Sequence, residues 1–107
     1  INDQIGSPTY TYDLAKLIKV MIKSDKYGIY HATNEGVCSW YEFALEIFKK
    51  LNIKIDVNPV SSDEYNSVAK RPKNSRLSKE KLIKSGFEKL PTWQDAIERY
   101  LEELSYL

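Results

Sequence analysis

The stretch that decides the fold is SWYEFALEIFKKL, residues 39–51. Ser39 and Glu42 have the spacing of a capping box, in which each side chain accepts a hydrogen bond from the other residue's backbone N–H. This pattern predicts an amphipathic helix that begins after Ser39 and places Trp40 in the core. Its apolar positions recur at helical spacing: Trp40, Phe43, Ala44, Ile47, Phe48 and Leu51.

Two more amphipathic helices are predicted on either side of this stretch. The first begins at Thr9 or Thr11, either of which offers an N-cap hydroxyl, and ends near residues 24–25. The last begins after Thr92, which is its predicted cap. The apolar stripe of the first helix is Leu14, Leu17, Ile18, Met21 and Ile22. The apolar stripe of the last helix is Trp93, Ala96, Ile97, Tyr100, Leu101 and Leu104.

The remaining segments predict a short helix, two strands and a loop. The short helix follows Ser78 and ends at Gly86 in a left-handed conformation. Residues 29–32 are apolar and partly β-branched, and residues 53–57 alternate between apolar and polar, so both segments predict short strands. Residues 61–76 are polar and aperiodic, which predicts a long loop of the kind that is often functional.

Composition excludes several classes of function. The chain has 107 residues, which fits one domain, and its 16 Lys+Arg against 15 Asp+Glu leave no large basic field for nucleic acid. No apolar run approaches the roughly 18 residues of a membrane span. The single cysteine, Cys38, excludes an internal disulfide and favours a reducing compartment such as the cytoplasm. The opening residue is Ile1 rather than Met, so we expect a piece of a longer protein.

The long loop carries the strongest candidate chemistry. Four of its cations lie within seven residues, and neighbouring amide and hydroxyl groups can add hydrogen bonds to a phosphate. Two interpretations remain open: a solvated basic loop, or a site for a phosphate-bearing small molecule. The cations are Lys70, Arg71, Lys73 and Arg76, with Asn74 and Ser75 between them.

Other chemical signals are weaker. Tyr12 and Lys16 have the Tyr-x-x-x-Lys spacing of the short-chain dehydrogenase catalytic pair, but eight tyrosines and many lysines make such a match expected, and we interpret it as a solvated pair. His31 is the only histidine, and no nucleophile is placed to use it. The four glycines form no phosphate-cradling loop, so the binding loop of any nucleotide cofactor lies outside this chain.

Four motifs in order resemble the dTDP-4-dehydrorhamnose reductases, which are extended short-chain dehydrogenases. They are DQIGSPT at residues 3–9, GIYHA at 28–32, Gly36 followed by SWYEFA at 39–44, and RPKNSRL at 71–77. The resemblance covers nearly all of residues 1–107 and identifies the chain as the C-terminal, substrate-binding third of such an enzyme. It implies an α/β fold of the Rossmann type for the whole enzyme, with about four helices and two or three short strands in this part.

The resemblance also implies an activity. Such enzymes use NADPH or NADH to reduce the 4-keto group of dTDP-4-dehydro-6-deoxy-L-mannose to dTDP-L-rhamnose, for cell-surface polysaccharide. Their dinucleotide loop and catalytic tyrosine and lysine lie in an N-terminal Rossmann domain, so no catalytic or cofactor-binding residue is expected here and the isolated chain is predicted to be inactive. The implied partners are the dTDP-sugar, that N-terminal domain and a second copy in a homodimer.

By the same resemblance, Arg71 occupies the position of a diphosphate-binding arginine, with Asn74 and Arg76 as further candidates. The loop from Gln4 to Thr9 is expected to approach the cleft. Some of these reductases bind Mg²⁺ through acidic residues after the first motif, but this chain offers only Asp13 there. The alternatives are a non-catalytic relative that regulates another enzyme, another nucleotide-sugar reductase or epimerase, and a free-standing helical interaction module.

Overall fold

The computed structural model describes residues 1–65 and 67–107, and it contains four helices and one small sheet. Strands β1 and β2 pair antiparallel, with Ile5 opposite Ser39 and Gly6 opposite Cys38. No helix in the described residues has the length and apolarity needed to cross a bilayer. In chain order the elements are β1 (Ile5–Gly6), α1 (Thr11–Met21), β2 (Cys38–Ser39), α2 (Trp40–Lys50), α3 (Glu80–Lys84) and α4 (Trp93–Glu103).

Two of the helix starts predicted from sequence are confirmed by their hydrogen bonds. The Ser39 hydroxyl accepts from the Glu42 backbone N–H at 3.1 Å, and the Glu42 carboxylate accepts from the Ser39 N–H at 3.0 Å. At the start of α4, the Thr92 hydroxyl accepts from the Asp95 N–H at 3.2 Å. Each cap contributes about 1 kcal/mol because it satisfies a backbone donor that the helix leaves unpaired.

The predicted start of α1 is wrong. Its N-cap is Tyr10, whose side chain makes no capping bond, and neither Thr9 nor Thr11 has that role. Instead, the side-chain oxygen of Asn34 accepts from the Tyr10 backbone N–H at 2.7 Å. A buried amide from a distant loop therefore caps the helix, which a local pattern does not reveal. The helix also ends earlier than predicted, at Met21.

The core divides into two clusters. The first joins α1 to α3 and consists of Leu17, Leu82, Phe87 and Leu90, and the second lies under α4 and consists of Cys38, Trp93, Ile97 and Leu101. Trp93 is buried as predicted, whereas the prediction for Trp40 is wrong because its side chain is 60% exposed. Trp40 is the first residue of α2, and the apolar stripe reaches the core only from Phe43 onwards.

Both predicted strands are wrong. Residues 29–32 and 53–57 form no strand, and Ile29, Ile53 and Ile55 are exposed. In the first segment, Tyr30 and Ala32 nevertheless pack against the first core cluster. A strand needs a partner for its backbone groups, and in the described residues neither segment has one. The strands that do form, two residues each, are too short to show a period.

The basic loop is attached to the small sheet. The Ile5 N–H donates to the Lys73 carbonyl at 2.8 Å, and the Ser75 N–H donates to the Ile5 carbonyl at 2.8 Å. Residues 61–65 and 67–76 contain no helix or strand, which confirms the loop prediction there, while Asn66 lies outside the described residues. The C-terminal half of the loop therefore runs beside β1 as a third, parallel segment.

Candidate functional site

A cleft of about 900 Å³ lies where segment 4–9, the start of α2 and the basic loop meet. This volume is in the range of small-molecule sites, and the cleft is lined by both polar and aromatic side chains. The lining residues on which the argument depends are Gln4, Ser7, Trp40, Tyr65, Arg71 and Ser75. The cleft thus brings together three segments that are far apart in sequence.

Hydrogen bonds at both ends position segment 4–9. At one end, Ile5 is bonded on its two sides to β2 and to the basic loop. At the other end, the Ser7 hydroxyl donates to the Gly36 carbonyl at 2.6 Å, and the Tyr10 N–H donates to Asn34. The backbone that forms one wall of the cleft is therefore positioned by hydrogen bonds within the domain.

The N-terminal half of the long loop is held by Asp3. The Asp3 carboxylate accepts from the Ser62 backbone N–H at 2.9 and 3.0 Å and also from the Ser62 hydroxyl. These hydrogen bonds lower the pKa of Asp3 below its usual value, and the bond from the Ser62 hydroxyl has the largest effect. Gln4 donates to the same hydroxyl at 3.4 Å. Both ends of the loop are thus attached to residues 3–5.

The predicted site residues divide into two groups. Arg71 and Gln4 both line the cleft, and Arg71 is exposed. Within residues 1–65 and 67–107, Arg71 forms neither an ion pair nor a hydrogen bond, so its guanidinium is available to an anion. Asn74 and Arg76 do not line the cleft, because Arg76 donates through its backbone N–H and its Nε to the Asn74 side chain, both at 3.0 Å.

A buried polar network beside the cleft was missed by sequence reasoning. Asp13 is 3% exposed, and its two oxygens accept from the Arg99 guanidinium at 2.8 and 2.6 Å. Asn34 is fully buried and donates to Asp13 at 2.8 Å and to the Pro91 carbonyl at 3.0 Å. Asp13 lies four residues before Leu17, on the buried face of α1. This helical spacing is the one feature of the sequence that indicates a buried charge.

This network sets the charge states of its members. The Arg99 guanidinium is the main cause of the lowered pKa of Asp13, the Asn34 bond adds to it, and desolvation opposes both. In turn, Asp13 raises the pKa of Arg99 further above its usual range. Both groups are charged at neutral pH, so the pair joins α1 to α4 as a permanent ion pair.

The chemistry of the donors does not fit a metal site in this part of the chain. Asp13 already binds Arg99 and Asn34 with its two oxygens. Over the described ranges, no three His, Cys, Asp or Glu side chains are grouped so as to hold an ion.

Tyr12 is 57% exposed, with the Lys16 Nζ 5.7 Å from its ring centroid, which confirms the solvated pair.

The glycines do not fit a dinucleotide cradle. A Cβ added to Gly36 would meet the Trp93 indole at 3.0 Å, so this glycine is required by core packing. A Cβ added to Gly28 would meet the Lys81 amine at 2.6 Å. Neither glycine opens a helix whose N-terminus could receive a pyrophosphate. Gly28 and Gly36 therefore do not form a loop that could cradle a dinucleotide.

The chain matches the family described as "RmlD substrate binding domain" over residues 1–106. It belongs to that family. It is 40% identical to the spore coat polysaccharide biosynthesis protein SpsK of Bacillus subtilis, over 98% of this chain and 36% of that protein. It is 37% identical to the dTDP-4-dehydrorhamnose reductase of Escherichia coli K12, over 97% of this chain and 38% of that enzyme.

Solved structures give the same placement. The dTDP-4-dehydrorhamnose reductase of Bacillus anthracis, in a complex with NADP, superposes with a TM-score of 0.91 at 45% identity, over 95% of this chain and 36% of that one. The chain therefore spans little more than a third of the length of its relatives. The resemblance found in the sequence motifs is confirmed, and the four helices and small sheet are those of the C-terminal part of RmlD structures.

Within this RmlD domain, the four sequence motifs occupy related places in space. The first and third motifs form the paired strands β1 and β2, and the fourth lies beside β1. The second contributes Tyr30 and Ala32 to the first core cluster. Each of the four motifs contributes residues to the lining of the cleft.

Proposed function

We propose that this domain forms the nucleotide-sugar-binding side of a dTDP-4-dehydrorhamnose reductase. The full-length protein would use NADPH or NADH to reduce the 4-keto group of dTDP-4-dehydro-6-deoxy-L-mannose, giving dTDP-L-rhamnose in the cytoplasm. The observation that carries this proposal is the Arg71 guanidinium, which lines a 900 Å³ cleft in a domain of this family and has no ion-pair partner among residues 1–65 and 67–107.

Arg71 is suited to a diphosphate because its planar guanidinium can donate two parallel hydrogen bonds to phosphate oxygens. Its side chain is exposed and pairs with no carboxylate in the part of the chain that the structure describes, so binding an anion costs little rearrangement. Contacts to the diphosphate are remote from the reacting ketone. Binding energy gained there can orient the sugar and hold it at the reacting centre.

The other candidates have supporting roles in this proposal. Gln4 offers an amide to the same cleft, from a segment that hydrogen bonds hold at both ends. Asn74 accepts two bonds from Arg76 and so fixes the direction of that side chain and the turn that follows Arg71. In this proposal, the dinucleotide supplies the hydride, and the tyrosine that donates the proton lies in the N-terminal Rossmann domain that the family resemblance implies.

The decisive experiment uses the full-length protein that contains this chain. It is mixed with dTDP-4-dehydro-6-deoxy-L-mannose and with NADPH or NADH, and loss of the reduced dinucleotide is followed together with the sugar product. We expect turnover to dTDP-L-rhamnose. Binding of the dTDP-sugar without turnover would contradict the proposal and indicate a non-catalytic relative. Turnover of a different nucleotide sugar alone would contradict the proposed substrate.

A further inference from the structure

Two aromatic side chains that line the cleft are more than half exposed, Trp40 at 60% and Tyr65 at 55%, and Trp40 is the one that lies on a helix. Its neighbours on the apolar stripe of α2 pack toward the second core cluster, but its own indole is 60% exposed and lines the cleft. The other tryptophan, Trp93, is 6% exposed and belongs to the core. Leaving a large apolar ring in water forgoes the stabilisation of burial. Such a ring in a cleft is typical of a contact surface for a ligand.

The backbone under Trp40 is held rigidly. The preceding residue, Ser39, is 2% exposed, pairs with Ile5 in the sheet and caps α2 together with Glu42. The Phe43 ring meets the indole edge to face, with 6.2 Å between the ring centroids. The indole is therefore presented to the cleft on a supported backbone, and a ligand that contacts it orders little additional structure.

The cleft thus combines a flat aromatic surface with a cation from a separate segment, Arg71, whose side chain is exposed. A nucleoside diphosphate has the two matching features, a planar base and an anionic diphosphate. Resting on the proposed function, we infer that Trp40 stacks on the nucleobase of the bound sugar nucleotide while Arg71 binds its diphosphate. This assigns the base to the start of α2 and the phosphates to the basic loop.

The test compares two probes in the full-length protein by titration calorimetry. dTDP carries both the base and the diphosphate, whereas inorganic pyrophosphate carries the anion only. For Trp40→Ala we expect dTDP binding to weaken about tenfold, the size of one base–aromatic stack, with pyrophosphate binding unchanged. Arg71→Ala should weaken both ligands. Trp40→Phe should recover most of the dTDP affinity because phenylalanine keeps an aromatic face.

Tyr27→Ala is the matched control, since Tyr27 is 87% exposed and does not line the cleft. Its affinity for both ligands should equal that of the unaltered protein. Unchanged dTDP binding in Trp40→Ala would overturn the inference, as would an equal loss of dTDP and pyrophosphate. If that variant still reduces the ketone with an unchanged KM, only the stacking role fails. If the unaltered protein binds neither ligand, the proposed function fails with it.

Discussion

Arg99 and Asp13 are 86 residues apart in sequence, yet their side chains meet in two parallel hydrogen bonds of 2.8 and 2.6 Å. This pair joins the last helix to the first turn of α1, beside the wall of the cleft. Asn34 holds the same carboxylate and caps α1 through the Tyr10 N–H. One buried network therefore connects the stability of the domain to the position of segment 4–9.

Replacing Arg99 should destabilise the domain strongly. Arg99→Leu leaves the Asp13 carboxylate buried with only Asn34 as a partner, so we expect the free energy of unfolding to fall by about 3 kcal/mol. Denaturant titration of the full-length protein measures this loss. Lys84→Leu is the control, because its ion pair with Glu80 is exposed and is worth less than about 1 kcal/mol. Equal losses of unfolding free energy in the two variants would show that the buried pair contributes no more to stability than the exposed pair.

Stability should fall in acid because of Asp13. Its pKa is lowered in the folded state, so its contribution is fully present above the unfolded value of 3.8 and is lost as the pH falls through the folded pKa. Asp13→Asn removes this contribution. The difference in unfolding free energy between the unaltered protein and this variant should therefore be largest near neutral pH and shrink below about pH 4. The pKa of Asp3 is also lowered, but Asp3 is present in both proteins, so its contribution cancels in this difference.

Under the proposed function, Arg71→Ala should raise KM for the nucleotide sugar by about tenfold or more in the full-length protein, the effect of losing a charged hydrogen-bond pair. Affinity for the dinucleotide should not change. Steady-state kinetics with each substrate varied in turn measure both quantities. Lys70→Ala is the matched control, because this neighbouring cation does not line the cleft. An unchanged KM in Arg71→Ala would remove Arg71 from the site.

Cys38 should react slowly with thiol reagents while the protein is folded. Its side chain is 5% exposed, and burial, with a smaller contribution from the Glu42 charge, raises its pKa to about 11. At neutral pH the thiolate that reacts is therefore scarce as well as covered. Labelling followed by mass spectrometry, before and after unfolding in denaturant, measures the difference. Rapid labelling of Cys38 in the folded protein would contradict its place in the second core cluster.

Local patterns predicted the helices because a helix satisfies its own backbone groups within a short segment. The capping box of Ser39 and Glu42 and the cap at Thr92 were both readable from residue type and spacing. The strands were not predictable in this way. Residues 53–57 alternate correctly, but a strand exists only where a distant segment supplies its hydrogen bonds.

The site was predictable only in outline. The basic loop and the family resemblance are features of the sequence, and both predict Arg71 as a candidate. The exposure of Trp40 could not be foreseen, because its position on the stripe is the same as that of a core residue. The hydrogen bonds from Arg76 to the Asn74 side chain also could not be foreseen from the sequence.

The amino-acid sequence by itself determined the four helices, the long basic loop and the family, because these depend on residue type and spacing within short segments. Only the tertiary structure decided which residues share the cleft, which aromatic ring stays exposed and how the Asp13 charge is balanced. The physical reason is that burial and pairing are properties of contacts between segments. Asn34, Asp13 and Arg99 have no short-range pattern in common, and the fold alone brings them together.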